Sequence, residues 1–440
     1  MNAFKIYKRS AIVICLIASC VFMLTKCIDK EKNAQHPADK KETEVKENIK
    51  ETEQADYIKK IKFEQFAGSA TCATCHKDIY KKHSMTGHYL SSQPALEKYI
   101  RGSFKKGENT FAYSPITSVA MEKRDSGLFQ VLYQNGEEKR AMKFGIVTGS
   151  GAKGQSYLYW RKNSLFQMPV TYYTAAGQWA NSPGFPDRVV MNRLITSRCL
   201  ECHTTFAETI SAPGKEPEEF DHDRILFGVD CEKCHGPAAG HVAYQTKNPT
   251  EKKGKYIINP ATLTRQQNLD LCALCHGGAI SKTKPSFEFK VGDKLSDFFV
   301  LSNLNAATPN YDNVDVHGNQ YGLLSASKCF TMSNMTCNNC HNSHENERGN
   351  TKLFSQRCSG CHNTNHGKLC KMTATLGNAI KSNCIDCHMP ASRSRAITLM
   401  LPGQEVPTAA WVRTHFISIY PDEVKKFVTG KNISKHQKTN

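Results

Sequence analysis

Residues 231–241 read Cys-Glu-Lys-Cys-His-Gly-Pro-Ala-Ala-Gly-His, and the pattern of the first five, Cys-x-x-Cys-His, occurs seven times in the chain. The other copies are Cys72/Cys75/His76, Cys199/Cys202/His203, Cys272/Cys275/His276, Cys337/Cys340/His341, Cys358/Cys361/His362 and Cys384/Cys387/His388. On one helical turn, residues i, i+3 and i+4 share a face, so two thiols and one imidazole reach the same object. That geometry suits c-type haem, with two thioethers to the vinyl groups and one histidine on the iron. Zinc is the competing reading, because Cys-x-x-Cys is half of a tetrahedral zinc site. Zinc half-sites come in pairs and need no histidine after the second cysteine. Here the number is odd and the histidine never fails, so seven covalently attached haems c are expected.

The motifs use fourteen of the 19 cysteines in this 440-residue chain, leaving Cys15, Cys20, Cys27, Cys329 and Cys370. Haem c is attached outside the cytoplasm, so a periplasmic or otherwise extracytoplasmic, membrane-anchored protein is expected. Lys5, Lys8 and Arg9 precede an apolar run from Ala11 to Leu24, which has the length of a signal-peptide core. Within it, Ile17-Ala18-Ser19-Cys20 reads as a lipobox that would leave a lipidated Cys20. Val21 to Leu24 stay apolar, which keeps an uncleaved signal anchor open as the alternative. Residues 28–62 are charged and almost free of apolar side chains, the composition of a disordered tether.

The formal net charge is +18. In an exported haem protein this argues against nucleic acid, because haem propionates offset part of the excess through Lys and Arg. The remainder suits redox protein partners with acidic surfaces. The expected organisation is a signal peptide or anchor at 1–27, the tether at 28–62, and a first motif with a β-rich region at 63–198. A six-haem core at 199–390 and a C-terminal cap with a polar tail at 391–440 complete it.

Between His76 and Cys199 the pattern is strand-like. Gly127 to Ile146 carries two alternating runs flanking Asn135-Gly136, a strong hairpin signal. Strands are also expected at Tyr157–Trp160 and Leu165–Tyr173, after a turn at Asn163-Ser164, with Trp160 and Trp179 as packing residues. From Thr196 to Pro390 the motifs are so dense that haem should form most of the interior. The expected fold class is mainly α and irregular: a multihaem core of short helices and loops around stacked haems, with a small antiparallel β insertion.

What sits opposite each motif histidine decides between an electron wire and an enzyme. His241 and His344 follow their own motifs too closely to cross the same haem, so each is expected on the iron of a neighbour. His88, His366 and His415 join them as expected ligands, whereas His83, His222 and His317 are divided between ligation and surface roles. Met85, Met168, Met191 and Met389 are expected in packing more than ligation. Cys329 and Cys370 are either a disulfide or two free thiols.

The stretches FAGSATCATCHKDIYKKHSMTGH, LFQMPVTYYTAAGQWANSPGF, SRCLECHTTF, GVDCEKCHGPAAGHV, LCALCHGG, CNNCHNSHE and CIDCHMP resemble the bacterial multihaem cytochromes c related to the tetrahaem cytochrome of hydroxylamine oxidation. That group, the cytochrome c-prime and hydroxylamine-oxidation tetrahaem family, includes relatives bearing tetratricopeptide repeats. The resemblance implies electron transfer through bis-histidine haems and supports His88, His241 and His344 as ligands. The chain departs from those relatives in lacking the repeats. It also has no Cys-x-x-Cys-Lys, which disfavours a pentahaem nitrite reductase.

The expected function is electron transfer between periplasmic or membrane redox partners, with no catalytic residue. The alternative is an oxidoreductase acting on a small nitrogen or sulfur compound at one open iron. In that case His83, His222 or His317 would line a pocket, with Arg193, Arg198 or Tyr173 beside it.

Overall fold

The structure is a computed structural model that describes residues 61–301, 318–363 and 370–429. The leader, the tether up to residue 60, Cys15, Cys20, Cys27, His317 and His366 lie outside the described residues. In chain order, β1 is Ser92–Pro94, β2 Thr110–Ser114, β3 Thr117–Arg124, β4 Gly127–Gln134 and β5 Glu137–Lys143. Asn135 and Gly136, with φ of 52° and 78°, supply the two left-handed residues that join β4 to β5 in a tight hairpin. Strands β2 to β5 form a four-stranded antiparallel meander.

A six-stranded sheet combines β1 with β6 (Ile146–Thr148), β7 (Gly154–Arg161), β8 (Ser164–Gln167), β9 (Val170–Tyr173) and β10 (Gln178–Asn181). The stretch from Leu165 to Tyr173, expected as one strand, is two. Pro169 cannot donate to a ladder, and the chain breaks around it. The preceding turn uses Lys162 at φ 54°.

The two sheets share a core of Phe111, Val119, Met121, Tyr157, Met168 and Trp179, each almost wholly buried. Trp179 also donates from Nε1 to the Ser103 carbonyl, 2.9 Å away. Trp160 instead stacks on His222, ring centroids 3.7 Å apart.

The mainly-α expectation is overturned. Sixteen strands occur among the described residues, and strand pairs also follow the motif region. β11 (Thr204–Thr209) starts at the residue after His203 and pairs with β12 (Phe220–Phe227). Its Thr204-Thr205-Phe206 start is β-branched and aromatic, which favours a strand as soon as the motif turn ends. β13 (Ser281–Lys282) pairs with β14 (Phe299–Val300), and β15 (Ala391–Leu399) with β16 (Thr408–Arg413). Leu399, Leu401 and Ala410 of the last hairpin pack with Tyr173 and Ala180, joining it to the six-stranded sheet. The β region therefore has a complete apolar core of its own and is a layer of the protein, not an insertion. Haem density in the sequence says nothing about that layer, because motif turns are short and leave room for strands between them.

Candidate functional site

The motifs sit on short turns. They lie at the ends of helices Ser69–Cys75, Ser197–His203, Cys231–His235, Arg265–His276, Thr351–Cys361 and Ile385–His388, and at the 3₁₀ turn Cys337–Asn339. Backbone bonds such as His76 N to Cys72 O, 2.9 Å, and His388 N to Cys384 O, 3.0 Å, close the turn across the motif itself. Numbered along the chain, motifs 1 to 5 bring both cysteines and the histidine to one continuous cavity of about 3230 Å³, and Cys358 of motif 6 reaches it as well. A site for one small ligand occupies roughly 300–1,000 Å³, so this space is several times larger than one such site. His83, His88, His241, His344 and His415 line the same space.

Most of the last two motifs' cysteines and histidines do not line this cavity. His362, expected on an iron like the other motif histidines, is exposed and does not line the cavity, and Cys361 beside it is placed in the same way. The motif 6 helix ends at Cys361, and His362 caps it at φ −92° and ψ 73°, much as His76 caps the motif 1 helix at φ −106° and ψ 42°. The attachment turn is still closed, with His362 N donating to Cys358 O at 2.8 Å. His362 is within electrostatic reach of Cys384 of motif 7, which brings Ile385, Asp386 and Met389 to the cavity lining but not Cys384, Cys387 or His388. Among the described residues no second histidine ring faces His362 as His415 faces His341.

Three of the cavity-lining histidines face motif histidines. Ring centroids are 6.0 Å apart for His88 and His276, 6.1 Å for His344 and His235, and 6.3 Å for His415 and His341. Metal–imidazole bonds of about 2.0 Å on each side, plus roughly 1.1 Å from each nitrogen to its ring centre, sum to about 6 Å. The three centroid separations therefore match the span of a metal held between two imidazoles, a distance that His83, 6.2 Å from His344, also meets. Burial, with added repulsion from neighbouring histidines, holds His88 and His415 down at about 4, so both are neutral at pH 7. Burial likewise lowers His235, His276, His341 and His344. A neutral imidazole is the form that ligates a metal.

The ring tautomers follow from the acceptors. His235 Nδ1 lies 2.8 Å from the Ile258 carbonyl, His388 Nδ1 2.8 Å from Ser418 and His241 Nδ1 2.9 Å from Lys255. A carbonyl only accepts, so Nδ1 carries the proton and Nε2 keeps its lone pair for a metal. His241 thus has the same arrangement as two motif histidines. Its helix, Ala239–Lys247, packs against the turn Phe63–Gln65 that leads into motif 1.

Buried polar clamps tie the motifs together. Glu232 of motif 3 accepts from the backbone nitrogens of Ala67 and Gly68, at the start of the motif 1 helix, and from Ala238, each at 2.8 Å. Arg198 beside motif 2 pairs with Glu201 at 2.8 Å and donates to the Leu274 carbonyl of motif 4 at 2.8 Å. Arg265, at the start of the motif 4 helix, donates to the Met335 carbonyl just before motif 5 at 3.1 Å. Arg357 beside motif 6 donates to the Cys340 carbonyl of motif 5 at 2.6 Å and pairs with Glu347. Ser355 in the motif 6 helix accepts from Cys384 N of motif 7 at 2.9 Å.

Thiol contacts join many of the same neighbours: Cys72 with Cys231, Cys202 with Cys275, Cys272 with Cys337, and Cys358 with Cys384. Cys234 of motif 3 lies within electrostatic reach of Cys272 of motif 4. The motifs are therefore ordered 1–3–4–5–6–7 in space, with motif 2 joined at motif 4. Several of these clamps were not identified from the sequence. The available signal was an acidic residue inside the motif, Glu201, Glu232 or Asp386, where an exposed position would have no need of it.

The hydrogen bonds from Arg357 hold the Glu347 carboxyl below its ordinary 4.5. A depressed carboxyl stabilises the fold above its unfolded value and loses that contribution as pH falls through the folded value. Below pH 4.5, the thermal midpoint is expected to fall more steeply in the wild type than in Glu347→Gln, as read by scanning calorimetry.

Other candidates have different surroundings. His222 stacks on Trp160, and its Nε2 lies 3.1 Å from the Lys162 carbonyl. His83 is buried with Nδ1 3.2 Å from the Ser343 carbonyl and Nε2 3.5 Å from Asp230, and its ring is 6.2 Å from His344. Arg193 donates to the Pro183 carbonyl, and Tyr173 is buried in the sheet core. Met168 is buried under the sheet, Met191 packs against the same core, Met85 is exposed, and Met389 lines the cavity. Cys329 and Cys370 are free thiols. Among the described residues, no helix is long and apolar enough to cross a membrane.

Residues 160–236, which include motifs 2 and 3, match the family described as cytochrome c554 and c-prime. The outer cell wall cytochrome OcwA, known from a crystal structure, is similar at 17% identity and a TM-score of 0.48. The match covers 82% of this chain and 81% of that one. No curated protein matches. With Cys-x-x-Cys-His repeated along the whole sequence and the family match falling on two of the copies, the chain is a multihaem c-type cytochrome.

Proposed function

We propose that the chain is an extracytoplasmic electron carrier with seven haems c, most of them ligated by two histidines. The observation that carries this reading is the set of three facing pairs, His88/His276, His344/His235 and His415/His341, inside one cavity shared by five motifs. Bound haem supplies the one-electron chemistry. At the three paired sites the chain's own histidines would hold an iron from both sides and leave no coordination position for a substrate, while the clamps keep neighbouring motifs close together. His241 is proposed as the second ligand of motif 1. His362 keeps its motif role as an iron ligand on this reading, for a haem at the protein surface, with His366 as a ligand near the same motif.

Electrons on this reading pass along motifs 1–3–4–5–6–7, with motif 2 as a side branch at motif 4. No side chain acts as acid or base. The basic balance favours partners with acidic surfaces, and Cys20, once lipidated, would tether the protein to a membrane.

Two measurements on the purified ferric protein test the reading. Intact mass under denaturing conditions should exceed the mature polypeptide by seven haem increments. Electron paramagnetic resonance should show low-spin signals that ignore cyanide, nitrite and hydroxylamine. A high-spin signal converted by one of these would overturn the carrier reading and expose an iron open to substrate.

A further inference from the structure

Residues 253–258 read Lys-Gly-Lys-Tyr-Ile-Ile, and this strap braces two histidines of the haem cavity. His241 Nδ1 donates to the Lys255 carbonyl at 2.9 Å, and His235 Nδ1 donates to the Ile258 carbonyl at 2.8 Å. Ile258 N returns a bond to the His235 carbonyl at 3.0 Å, and Gln245, on the helix of His241, donates to the Lys253 carbonyl at 3.2 Å. Both imidazoles therefore lean on the same short piece of chain.

Between the two carbonyls stands Tyr256, with φ of 56°. The left-handed region is uncommon for any residue but glycine, and a bulky aromatic side chain gains nothing there from its backbone. Packing in a core would explain it, but Tyr256 is 58% exposed. Burial does not offset the conformation, and glycine would serve the turn better. Strained residues of this kind concentrate where function holds them.

The strap has two faces. Lys253, Gly254, Ile257 and Ile258 line the haem cavity, whereas Lys255 and Tyr256 do not. Tyr256 lies along the helix Ala239–Lys247: a Cβ on Gly240 would stand 3.4 Å from Tyr256 Cβ, and the Tyr244 and Tyr256 ring centroids are 5.8 Å apart. Lys255 Nζ sits 4.9 Å from the Tyr244 ring centroid. Lys247 follows Tyr244 by three residues, on the same face of the helix, and is exposed. Residues 247–256 carry four lysines against one glutamate, Glu251, whose carboxylate accepts from Lys253 N at 2.8 Å.

We propose that Tyr244, Lys247, Lys255 and Tyr256 form a docking patch for an electron-transfer protein with an acidic face, at the motif 1–3 end of the haem path. Charge complementarity selects that partner, and an exposed tyrosine pair among lysines supplies an anchor that charge alone lacks. The route inward is short. From Tyr256, one peptide unit and the Lys255–His241 hydrogen bond reach an imidazole proposed as an iron ligand; two residues further on, Ile258 reaches His235. The inference rests on the haem carrier reading above and gives its partner a place.

Reduction of the ferric holoprotein by flavodoxin hydroquinone, an acidic one-electron donor, tests it at the Soret band. One ferric haem becomes ferrous as the flavin passes from hydroquinone to semiquinone. At low salt the second-order rate constant should fall about tenfold in Lys247→Gln/Lys255→Gln, and at high salt the variant and wild type should converge. Tyr256→Gly tolerates the left-handed backbone, so its thermal midpoint should stay near that of the wild type while the rate constant falls about fivefold.

The neutral 5-deazariboflavin radical, which needs no docking patch, should reduce all three proteins alike. Equal rates with flavodoxin in all three, or equal slowing of the variants with both donors, overturn the proposal. Failure of the carrier reading looks different: a wild type without haem by pyridine haemochromogen assay fails before any donor is added.

Discussion

His415→Ala is expected to convert one haem equivalent from low to high spin and to open that iron to cyanide, whereas His222→Ala leaves the spectrum unchanged. His415 stands on the chain that leaves β16, with its ring 6.3 Å from His341. Burial holds it neutral, so its lone pair is available at physiological pH. The approach is held by Arg413, which donates to the Ile385 and Met389 carbonyls at 3.1 and 2.7 Å while pairing with Asp386 of motif 7. Truncation to alanine removes the ligand and leaves these anchors in place.

The site beside His341 would then be filled by water or an added ligand, and cyanide should restore a low-spin signal of one equivalent. His344→Ala and His88→Ala should do the same for the haems of motifs 3 and 4. His222 is the contrast, because its ring is spent on Trp160 and its Nε2 on the Lys162 carbonyl. Ferric electron paramagnetic resonance of the variants, with and without cyanide, checks all four. An unchanged His415→Ala spectrum would remove His415 from the ligand set.

The contrast between His415 and His222 shows what is legible in a sequence of this kind. Attachment chemistry fixes the motif spacing within one turn, so the motif cysteines and histidines can be read directly. Where each motif stands cannot: His341 and His362 have the same motif position, yet one lines the shared cavity and the other does not. That His344 cannot bend back across its own haem is also readable, since three residues give too little chain. Which motif it faces depends on tertiary structure, and it lies against His235, from a motif far earlier in the chain.

The β layer was partly legible. Asn135-Gly136 marked one hairpin, but Thr204–Thr209 and Phe220–Phe227 were hidden by the motifs on either side. Expecting haem to fill the interior overlooked residues such as Phe111, Tyr157 and Trp179, which build an apolar core without it. The clamps were hidden for another reason. Glu232 sits at a motif position that attachment leaves unconstrained, and only its burial shows that the charge is held for a contact.

Glu232→Ala should destabilise the holoprotein by about 3–5 kcal/mol, from hydrogen bonds to a charged acceptor worth roughly 1.5–3 kcal/mol each before partial exposure and relaxation reduce the sum. Glu232 is 5% exposed and Ala238 2%, so water reaches neither readily. Loss of the carboxylate strands the Ala238 N–H in the interior and frees the Ala67-Gly68 entry to motif 1. Glu232→Gln separates charge from geometry. Its single oxygen can keep the two bonds made by Oε1, to Ala67 and Ala238, while its amide nitrogen opposes the Gly68 N–H that Oε2 accepts. The glutamine variant should therefore fall between wild type and alanine. Thermal unfolding followed at the haem Soret band orders the three proteins, and equal midpoints would show that the motif 1–3 contact does not depend on this carboxylate. If the clamp also sets the spacing of the first two haems on the electron path, the alanine variant should slow the passage of electrons from motif 1 to the rest while the other haems reduce at the wild-type rate.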